Sequence, residues 1–347
     1  MPESIAETDI RAAGKAPTIH DVAAKARVSA ATVSRYLNGG RVRQGEAIAK
    51  AIEELAFHPS ALARSLKSGT TRAIGVVVPD ITNPYFAAVV KGIESVTRDD
   101  DYDLLLCNTD ESVDRERRVV ATLIAKKVDG LLMAPATEHG EPPSYLLSTG
   151  VPTVFIDRQL AEGAFDCILV DNLGGAAQAA AHLAALGHRR IGMISGSLET
   201  TPGRERYEGF VEGLHGAGLE LSDLYTEFSD FRAGGGYQSM LRLLAARPQP
   251  TAVFVANNLM AMGALRAIHD LGLRIPEHVS FLSFDKLDLG ELLNPPLTFI
   301  DRPAEEQGIL AMRLLLSRME RREMGSPRTI RMEVKLIEGA SCAPPHP

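Results

Sequence analysis

The 347-residue chain carries a formal net charge of −7 and is 45% hydrophobic, a length and composition sufficient for two or three folded domains. It contains no run of about 18 apolar residues able to cross a membrane and no apolar N-terminal segment of the secretory kind, so we expect a cytoplasmic protein. The three cysteines, Cys107, Cys167 and Cys342, lack metal-ligand spacing, which indicates reduced thiols and predicts neither a metal site nor a cofactor.

Charge is distributed unevenly along the chain. Residues 1–72 hold 11 Lys and Arg against 7 Asp and Glu, whereas residues 73–347 hold 26 against 37. A basic head on an acidic body is typical of a protein that directs one part of itself to nucleic acid, because only the head is attracted to phosphate. The first 16 residues show no periodicity and are predicted to be a flexible leader.

Residues 17–58 predict a small domain of three helices. Thr18 can begin the first helix as the N-cap of a capping box with Asp21, and Ser29 can cap the second helix. The third helix is expected to end near Leu55 and to pack beneath the first two. Apolar residues at helical spacing supply the inner faces of the first two helices: Ile19, Val22, Ala23, Ala26, Val33 and Leu37.

The outer face of the second helix is the strongest functional signal in this domain. It carries Thr32, Ser34, Arg35 and Asn38, that is, two hydroxyls, one guanidinium and one amide. A short capped helix with such a face suits the DNA major groove. The alternative is an ordinary helical hairpin, but the exposed face of such a hairpin usually carries Glu and Lys pairs. We therefore predict a helix-turn-helix DNA-binding domain.

Residues 59–72 predict a connecting segment. Ser60 to Lys67 reads as a capped helix of barely two turns that ends at Gly69. Isolated helices shorter than about 12–15 residues are marginal in water. We expect this helix to be ordered only when it docks against something else.

From Ala73 onward, short apolar strands alternate with helical segments. This alternation predicts parallel sheets covered on both faces, and about 275 residues are more than one core accommodates, so two α/β lobes are expected. Ligands of such sheets bind beyond the carboxyl ends of the strands. The predicted strands are 74–78, 103–107, 130–134, 153–156, 168–170, 191–195, 252–256, 279–284 and 297–300.

Several motifs together resemble the lactose-repressor/galactose-repressor family of bacterial transcription regulators, over about residues 17–340. They include Thr-Ile-His-Asp-Val-Ala from Thr18, Ala-Thr-Val-Ser-Arg-Tyr-Leu-Asn ending at Asn38, and Ala-Leu-Ala-Arg-Ser-Leu-Lys-Ser-Gly ending at Gly69. Further matches are Ile-Gly-Val-Val-Val-Pro-Asp-Ile-Thr-Asn-Pro-Tyr-Phe, Leu-Gly-His-Arg-Arg-Ile, Val-Ala-Asn-Asn-Leu-Met-Ala and Pro-Pro-Leu-Thr-Phe-Ile. Arg27 departs from the family pattern, which usually has glycine before the turn.

The resemblance implies an α/β protein with an N-terminal all-α helix-turn-helix head and two periplasmic-binding-protein-like lobes of doubly wound parallel sheet within residues 73–342. The lobes would comprise about 73–172 with 301–328 and 173–300 with 329–342. The resemblance also implies a homodimer or a dimer of dimers on a palindromic double-stranded DNA operator. A small effector, that is, a sugar, sugar acid or sugar phosphate, would bind between the lobes and switch a repressor allosterically.

Carried over by position, the family's DNA contacts fall on the head and the connecting helix. Arg35 should reach a base edge with Ala30 and Ala31 beside it, and a bidentate Arg–guanine pair gives roughly 1–3 kcal/mol of discrimination. Leu66 matches a leucine that wedges into a base step through the minor groove, with Ala63 and Lys67 beside it. Packing within its own domain is the alternative role for Leu66. Phosphate contacts are implied for Thr18, Ser29, Thr32, Ser34 and Asn38.

The family's effector-binding positions fall on Asp157, Arg206, Asn257, Asp285 and Arg302. Tyr85 and Phe86 could cover a ligand face or could simply be core aromatics. Arg302 replaces a residue that is often glutamine, and with Arg206 it would place two cations in the pocket, which favours an anionic sugar derivative. The alternative is that Arg302 pairs with Asp285 or Asp301 and that the ligand is a neutral sugar.

Two other classes of protein fit the sequence less well. A dinucleotide-dependent enzyme of the Rossmann type is disfavoured because no Gly-x-Gly-x-x-Gly follows a strand. A pure solute-binding protein is disfavoured by the basic head and by the lack of an export signal. We therefore predict a transcriptional regulator and not an enzyme.

Overall fold

The computed structural model describes residues 17–58, 69–138, 144–160, 163–287, 290–320 and 325–346. The predicted leader and the predicted wedge residues Ala63, Leu66 and Lys67 lie outside these described residues. The chain divides into two units, Met1–Thr71 and Arg72–Pro347. Within the described parts of the chain, no helix is both long and apolar enough to cross a membrane.

The first unit contains the three predicted helices: α1 (Ile19–Ala26), α2 (Ala30–Leu37) and α3 (Gly45–Glu54). Val22, Val33 and Ile48, one from each helix, are fully buried and form the centre of a small core. The structure therefore confirms the helical head and the inner positions predicted for Val22 and Val33.

The ends of these helices follow the capping pattern of the sequence. The Asp21 carboxylate accepts hydrogen bonds from the backbone N–H and the hydroxyl of Thr18, both at 2.7 Å. Ser29 Oγ accepts the Thr32 N–H at 3.2 Å. Arg27 ends α1 in the left-handed region, with φ 54°. Glycine adopts that conformation at lower cost than arginine, by about 1 kcal/mol.

The second unit begins with a lobe built on one parallel sheet, whose strands are β1 (Ala73–Val78), β2 (Asp103–Asn108), β3 (Gly130–Met133), β4 (Thr153–Ile156), β5 (Asp166–Val170) and β11 (Thr329–Met332). In this first lobe the strands are arranged in the order β11-β5-β4-β3-β1-β2. The helices of this lobe are α4 (Pro84–Asp99), α5 (Val113–Ala125), α6 (Ser144–Thr149) and α11 (Ala304–Met319).

The second lobe repeats this arrangement with the strands β6 (Ile191–Ser195), β7 (Thr226–Phe228), β8 (Ala252–Val255), β9 (Ser280–Phe284), β10 (Thr298–Asp301) and β12 (Lys335–Ile337). Their order in the sheet is β12-β10-β9-β8-β6-β7, with only β12 antiparallel to its neighbour. The helices of this lobe are α7 (Asn172–Ala185), α8 (Thr201–Gly216), α9 (Ala233–Ala245) and α10 (Asn258–Asp270).

Each sheet is covered on both faces, as the continuous apolar strands predict. In the first lobe, α4 and α11 contribute Ile93 and Leu315 to the core on one face, and α5 contributes Leu123 on the other. The structure confirms the two-lobed α/β architecture. In such a fold a ligand is expected at the carboxyl ends of the strands of the two sheets.

Three short strands, β7, β11 and β12, were not predicted, because their residues are half exposed and lack a continuous apolar run. The predicted assignment of residues 329–342 to the second lobe is wrong for Thr329–Met332, since this strand pairs in parallel with β5 of the first lobe. Similarly, Asp301 ends β10 in the second lobe's sheet instead of beginning a segment of the first. The chain therefore passes between the two sheets three times.

Two helices of the first lobe approach closely through glycine. A Cβ at Gly92 of α4 would overlap the carbonyl oxygen of Glu305, and a Cβ at Gly308 of α11 would overlap that of Val89. We predict that Gly92→Ala lowers the free energy of unfolding by about 1–3 kcal/mol, because backbone atoms must move apart. Urea unfolding followed by circular dichroism measures this.

The matched control for Gly92 is Gly234→Ala. A Cβ at Gly234, in the first turn of α9, meets no atom within 4 Å. Alanine is the better helix former by up to about 1 kcal/mol, so this change should be neutral or stabilising. Equal losses for the two variants would contradict close helix packing at Gly92.

Candidate effector cleft and DNA-binding helix

A polar cavity lies between the two lobes of the second unit. Its volume is about 430 Å³, part of which is open to solvent. The side chains that line it come from the carboxyl ends of strands in both lobes, and they are Asp80, Asn83, Phe86, Glu111, Asp157, Arg158, Pro202, Arg206, Asp230, Phe231, Arg232, Asn257, Leu259 and Arg302. Ligand sites of parallel sheets are expected at this edge.

Two carboxylates enter the cavity region from equivalent places in the two lobes. Asp157 follows β4 and Asp285 follows β9, and these strands hold the same position in their sheets. Both residues have left-handed backbones, with φ 66° and 77°. Such conformations are uncommon outside glycine and asparagine, and they concentrate at functional sites.

Arg302 connects these two carboxylates. Its Nη1 donates to Asp157 Oδ1 at 2.6 Å, its Nη2 donates to Asp285 Oδ2 at 2.9 Å, and its Nε contacts Asp285 Oδ1. The guanidinium carbon lies 3.2 Å from the centre of the Tyr85 ring. Burial alone would lower the pKa of Arg302, but Asp285 and Asp157 raise it above the ordinary value. Arg302 is therefore a permanent cation held by both lobes.

Arg206, on α8, is the other buried cation. Its Nε donates to Asn172 Oδ1 at 2.8 Å and its Nη1 donates to the Ala256 carbonyl at 2.6 Å, while Asp285 lies 4.0 Å away. Nη2 is buried and has no hydrogen-bond partner. Burial, and then the charge of Arg302, lower the pKa of Arg206 to about 10. A buried charged donor without a partner is costly, so Nη2 is the clearest position for a ligand acceptor.

A hydrogen-bonded chain fixes the position of Arg206. Asn172 Nδ2 donates to Glu205 at 3.2 Å, and Arg331 of β11 holds the same carboxylate with two bonds of 2.7 and 2.9 Å. Arg331 lies in the first lobe and Glu205 in the second. The orientation of Arg206 is thus tied to the place where the chain passes between the lobes.

The remaining predicted residues either line the cavity or support its wall from the core. Phe86 lines the cavity, but Tyr85 lies beneath Arg302 and its hydroxyl donates to Gln307 Oε1 at 2.6 Å, so it supports the site from the core. Burial raises the pKa of Tyr85 well above its ordinary value. Asn257 caps α10 through the Met260 N–H at 2.8 Å, and its amide donates to the Phe231 carbonyl at 3.0 Å.

Arg158 and Glu111 form an ion pair in the cavity that was not predicted from the sequence. Arg158 donates to both oxygens of Glu111, at 2.7 and 2.8 Å, and both residues line the cavity. The signal was present, since Arg158 directly follows Asp157 at a strand end. Phe231 was also missed, because no strand or motif marks it in the sequence.

The guanidinium groups of the cavity are mostly compensated. Arg302 pairs with Asp285, which is one of the two alternatives predicted, and its second partner is Asp157 instead of Asp301. Arg232 pairs with Asp110 at 2.7 Å. The two predicted cations are therefore balanced by two buried carboxylates, and the anion-binding argument from the sequence loses its basis.

Further polar contacts join the lobes around the cavity. Asn258 Nδ2 donates to Asn83 Oδ1 at 2.9 Å, and Arg204 contacts Glu138 at 3.2 Å. The Thr201 hydroxyl also donates to Glu138. Together with the Arg302 bridge, these contacts hold the described lobes in a closed arrangement around the cavity.

Glu116, at the start of α5, holds the segment that follows β3, because its carboxylate accepts the Ala136 N–H at 2.7 Å. Burial raises the pKa of Glu116 to about 6. The fold favours the protonated form, so the stability that this group contributes is present below pH 4.5 and is lost as the pH rises through 6. The loss amounts to roughly 2 kcal/mol.

We predict that Glu116→Gln is more stable than the parent by about 2 kcal/mol at pH 7.5 and that the two converge below pH 4.5. The amide oxygen can still accept from Ala136 but carries no charge. Urea unfolding at a series of pH values measures this, with the exposed Glu212→Gln as control. A constant difference at all pH values would contradict the prediction.

No group of three or more His, Cys, Asp or Glu suited to a metal ion occurs among the residues that the structure describes. The side chains that line the cavity offer hydrogen bonds and ion pairs for recognition.

In the first unit, α2 presents the face predicted to contact DNA. Ser29, Ala31, Arg35 and Asn38 are exposed, whereas Val33 on the opposite side is fully buried. The other predicted contact residues in this unit are partly exposed, namely Thr18, Ala30, Thr32 and Ser34. The Asn38 amide donates to the Ser34 carbonyl at 2.8 Å and ends the helix.

Comparison with known proteins adds to this geometry. A profile described as bacterial regulatory proteins, lacI family, matches residues 18–60, and one described as a periplasmic binding protein-like domain matches residues 180–342. The chain is 37% identical over 335 residues to the HTH-type transcriptional repressor PurR of Serratia proteamaculans (strain 568), covering 94% of this chain and 97% of that protein. It is 38% identical over 307 residues to the ribose operon repressor of Escherichia coli (strain K12), covering 87% and 93%.

The lac repressor dimer bound to operator and the anti-inducer ONPF has the same fold, with a TM-score of 0.84 and 25% identity over 95% of this chain and 100% of that one. A helix-turn-helix head followed by a two-lobed body with a polar cleft between its lobes defines a ligand-responsive DNA-binding protein. The chain belongs to the LacI family of bacterial transcriptional regulators. It is a DNA-binding regulator of transcription and not an enzyme.

Proposed function

We propose that this protein is a cytoplasmic repressor that binds a palindromic operator as a homodimer and changes its operator affinity when a neutral monosaccharide binds between its lobes. The observation that carries the ligand class is the cavity itself: a buried unpartnered donor, Arg206 Nη2, beside guanidinium groups already neutralised by carboxylates. Hydroxyl groups can accept from such a donor without adding charge.

The relatives support this proposal. One is named a ribose operon repressor, and the lac repressor dimer is bound to an operator together with a small molecule. A pentose, with D-ribose as the first probe, is therefore the ligand that we propose to test first. The dimer is proposed on the same basis.

The exposed face of α2 is proposed to read the operator. Arg35 would bond a guanine edge, Ala30 and Ala31 would give apolar contacts, and the hydroxyl and amide side chains would hold phosphates. Selection of bound duplexes from a random pool should return a two-fold symmetric sequence. Fluorescence anisotropy with and without D-ribose then gives the size and sign of the switch, and an operator affinity that no neutral sugar changes would contradict the proposal.

The wedge proposed for Leu66 gives a separate test. We expect Leu66→Ala to weaken specific operator binding far more than binding to random duplex, because only the bent operator would accept the leucine between base pairs. Anisotropy titrations with both duplexes measure the two affinities. Equal losses would favour packing of Leu66 within its own domain.

A further inference from the structure

The Asp157–Arg302–Asp285 bridge lies across the site where the two lobes meet. The side chain of Arg302 is 6% exposed and those of both carboxylates are 4% exposed. Asp157 belongs to the first lobe, Asp285 to the second, and Arg302 follows β10 where the chain leaves the second lobe. Every nitrogen of this guanidinium lies against a carboxylate oxygen, so its positive charge is compensated from both lobes.

The charge of the deep part of the cleft follows from this bridge. Arg302 and Arg206 bring two positive charges, and Asp157 and Asp285 bring two negative ones. The other two guanidinium groups that line the cavity are those of Arg158, which pairs with Glu111, and Arg232, which shares Asp110 with Arg115. The cavity wall also includes Asp80 and Asp230, which add negative charge.

An anionic ligand meets an Arg302 whose charge is already compensated, and it would gain the full attraction of this cation only by displacing one of the two carboxylates. The displaced carboxylate would stay buried and lose its nearest counter-ion, which is unfavourable. A neutral polyhydroxyl compound meets no such obstacle, because it can accept from Arg206 Nη2 while the bridge stays intact.

We propose that Arg302 determines the charge class of the effector: by bridging Asp157 and Asp285 it makes the cleft accept uncharged sugars and exclude sugar acids and sugar phosphates. This inference rests on the proposed function, in that the cleft is taken to be the effector site. It assigns to Arg302 a role in specificity that does not require direct contact with the ligand.

The test compares D-ribose with D-ribonate by isothermal titration calorimetry on the full-length protein. For the parent protein we expect the dissociation constant for D-ribonate to exceed that for D-ribose by at least 100-fold. Asp285→Asn and Asp157→Asn each free half of the guanidinium and leave one net positive charge. Each variant should therefore bind D-ribonate more tightly and lower the ratio of the D-ribonate to the D-ribose dissociation constant by at least 10-fold.

Two further variants complete the design. Arg302→Gln leaves the two carboxylates against Arg206 alone and should keep D-ribonate excluded. Asp270→Asn makes the same charge change at an exposed ion pair with Arg266 and should leave the ratio within about twofold. Circular dichroism melts show which variants are folded. Asp157→Asn and Asp285→Asn change opposite ends of the bridge, so either of them alone tests the role of Arg302.

Failure of the inference differs from failure of the proposed function. If the parent binds neither probe, D-ribose is not the effector, and the same variants are screened by thermal shift with gluconate and inorganic phosphate. Anion binding gained by Asp157→Asn or Asp285→Asn alone would still support the role of Arg302. The inference is overturned if the parent binds D-ribonate as tightly as D-ribose, or if neither bridge variant gains affinity for any of these anions.

Discussion

Replacing Arg206 with glutamine is expected to weaken binding of the effector by at least 100-fold. The change removes the unpartnered donor Nη2 together with the positive charge of the guanidinium. Hydrogen bonds to charged groups contribute about 1.5–3 kcal/mol each, so their loss weakens binding strongly. Calorimetry with D-ribose measures the loss. Anisotropy should show in parallel that the sugar no longer changes operator affinity.

The control for this prediction is Arg266→Gln, since the side chain of Arg266 is 78% exposed and lies outside the cavity. Arg206→Lys adds a second comparison, because a lysine keeps the charge but cannot reproduce the bonds to both Asn172 and Ala256. We expect it to recover only a small part of the affinity. Undiminished ligand binding by the glutamine variant would remove Arg206 from the site.

Replacing Arg35 with alanine is expected to lower the discrimination between operator and random duplex by about 30-fold or more. A bidentate arginine–guanine contact gives roughly 1–3 kcal/mol, and a symmetric dimer would lose it twice, which corresponds to about 30-fold or more. Anisotropy with both duplexes at one fixed salt concentration measures the ratio of affinities, because salt dependence would otherwise obscure it.

Lys50→Ala is the control for Arg35→Ala, because it also removes one positive charge from the first unit. The Lys50 side chain lies on α3 and is 78% exposed. It should lower the affinities for both duplexes by similar factors. If Arg35→Ala behaved in the same way, Arg35 would be a phosphate contact and not a base contact.

Much of the fold could be predicted because its signals are local. Thr18 with Asp21 and Ser29 with Thr32 mark helix starts through hydrogen bonds that span three residues, and the structure shows these bonds. The strands with continuous apolar runs were found for the same reason. A continuous apolar run indicates burial on both faces, and those strands are buried on both faces except for the half-exposed edge strand β2.

The missed features depend on distant residues. β11 and β12 are half-exposed strands whose pairing is defined only by the sheets they join, so the lobe boundary near Met332 was misplaced. The partners of Arg302 illustrate the same limit at the site. Asp157 lies 145 residues away in the chain, and only the closed arrangement of two sheets brings it within 2.6 Å of the guanidinium.

The connectivity of the two lobes has a mechanical consequence for regulation. Chain continuity from Thr71 leads into β1 of the first lobe, while the second lobe is joined covalently to the rest of the chain only through the three passages between the sheets. The other links between the lobes are side-chain contacts such as the Arg302 bridge, which can break and re-form if the lobes tilt about the passages. We therefore expect mutations that stiffen the passages to yield a protein that binds its ligand yet leaves its genes permanently silenced or permanently expressed.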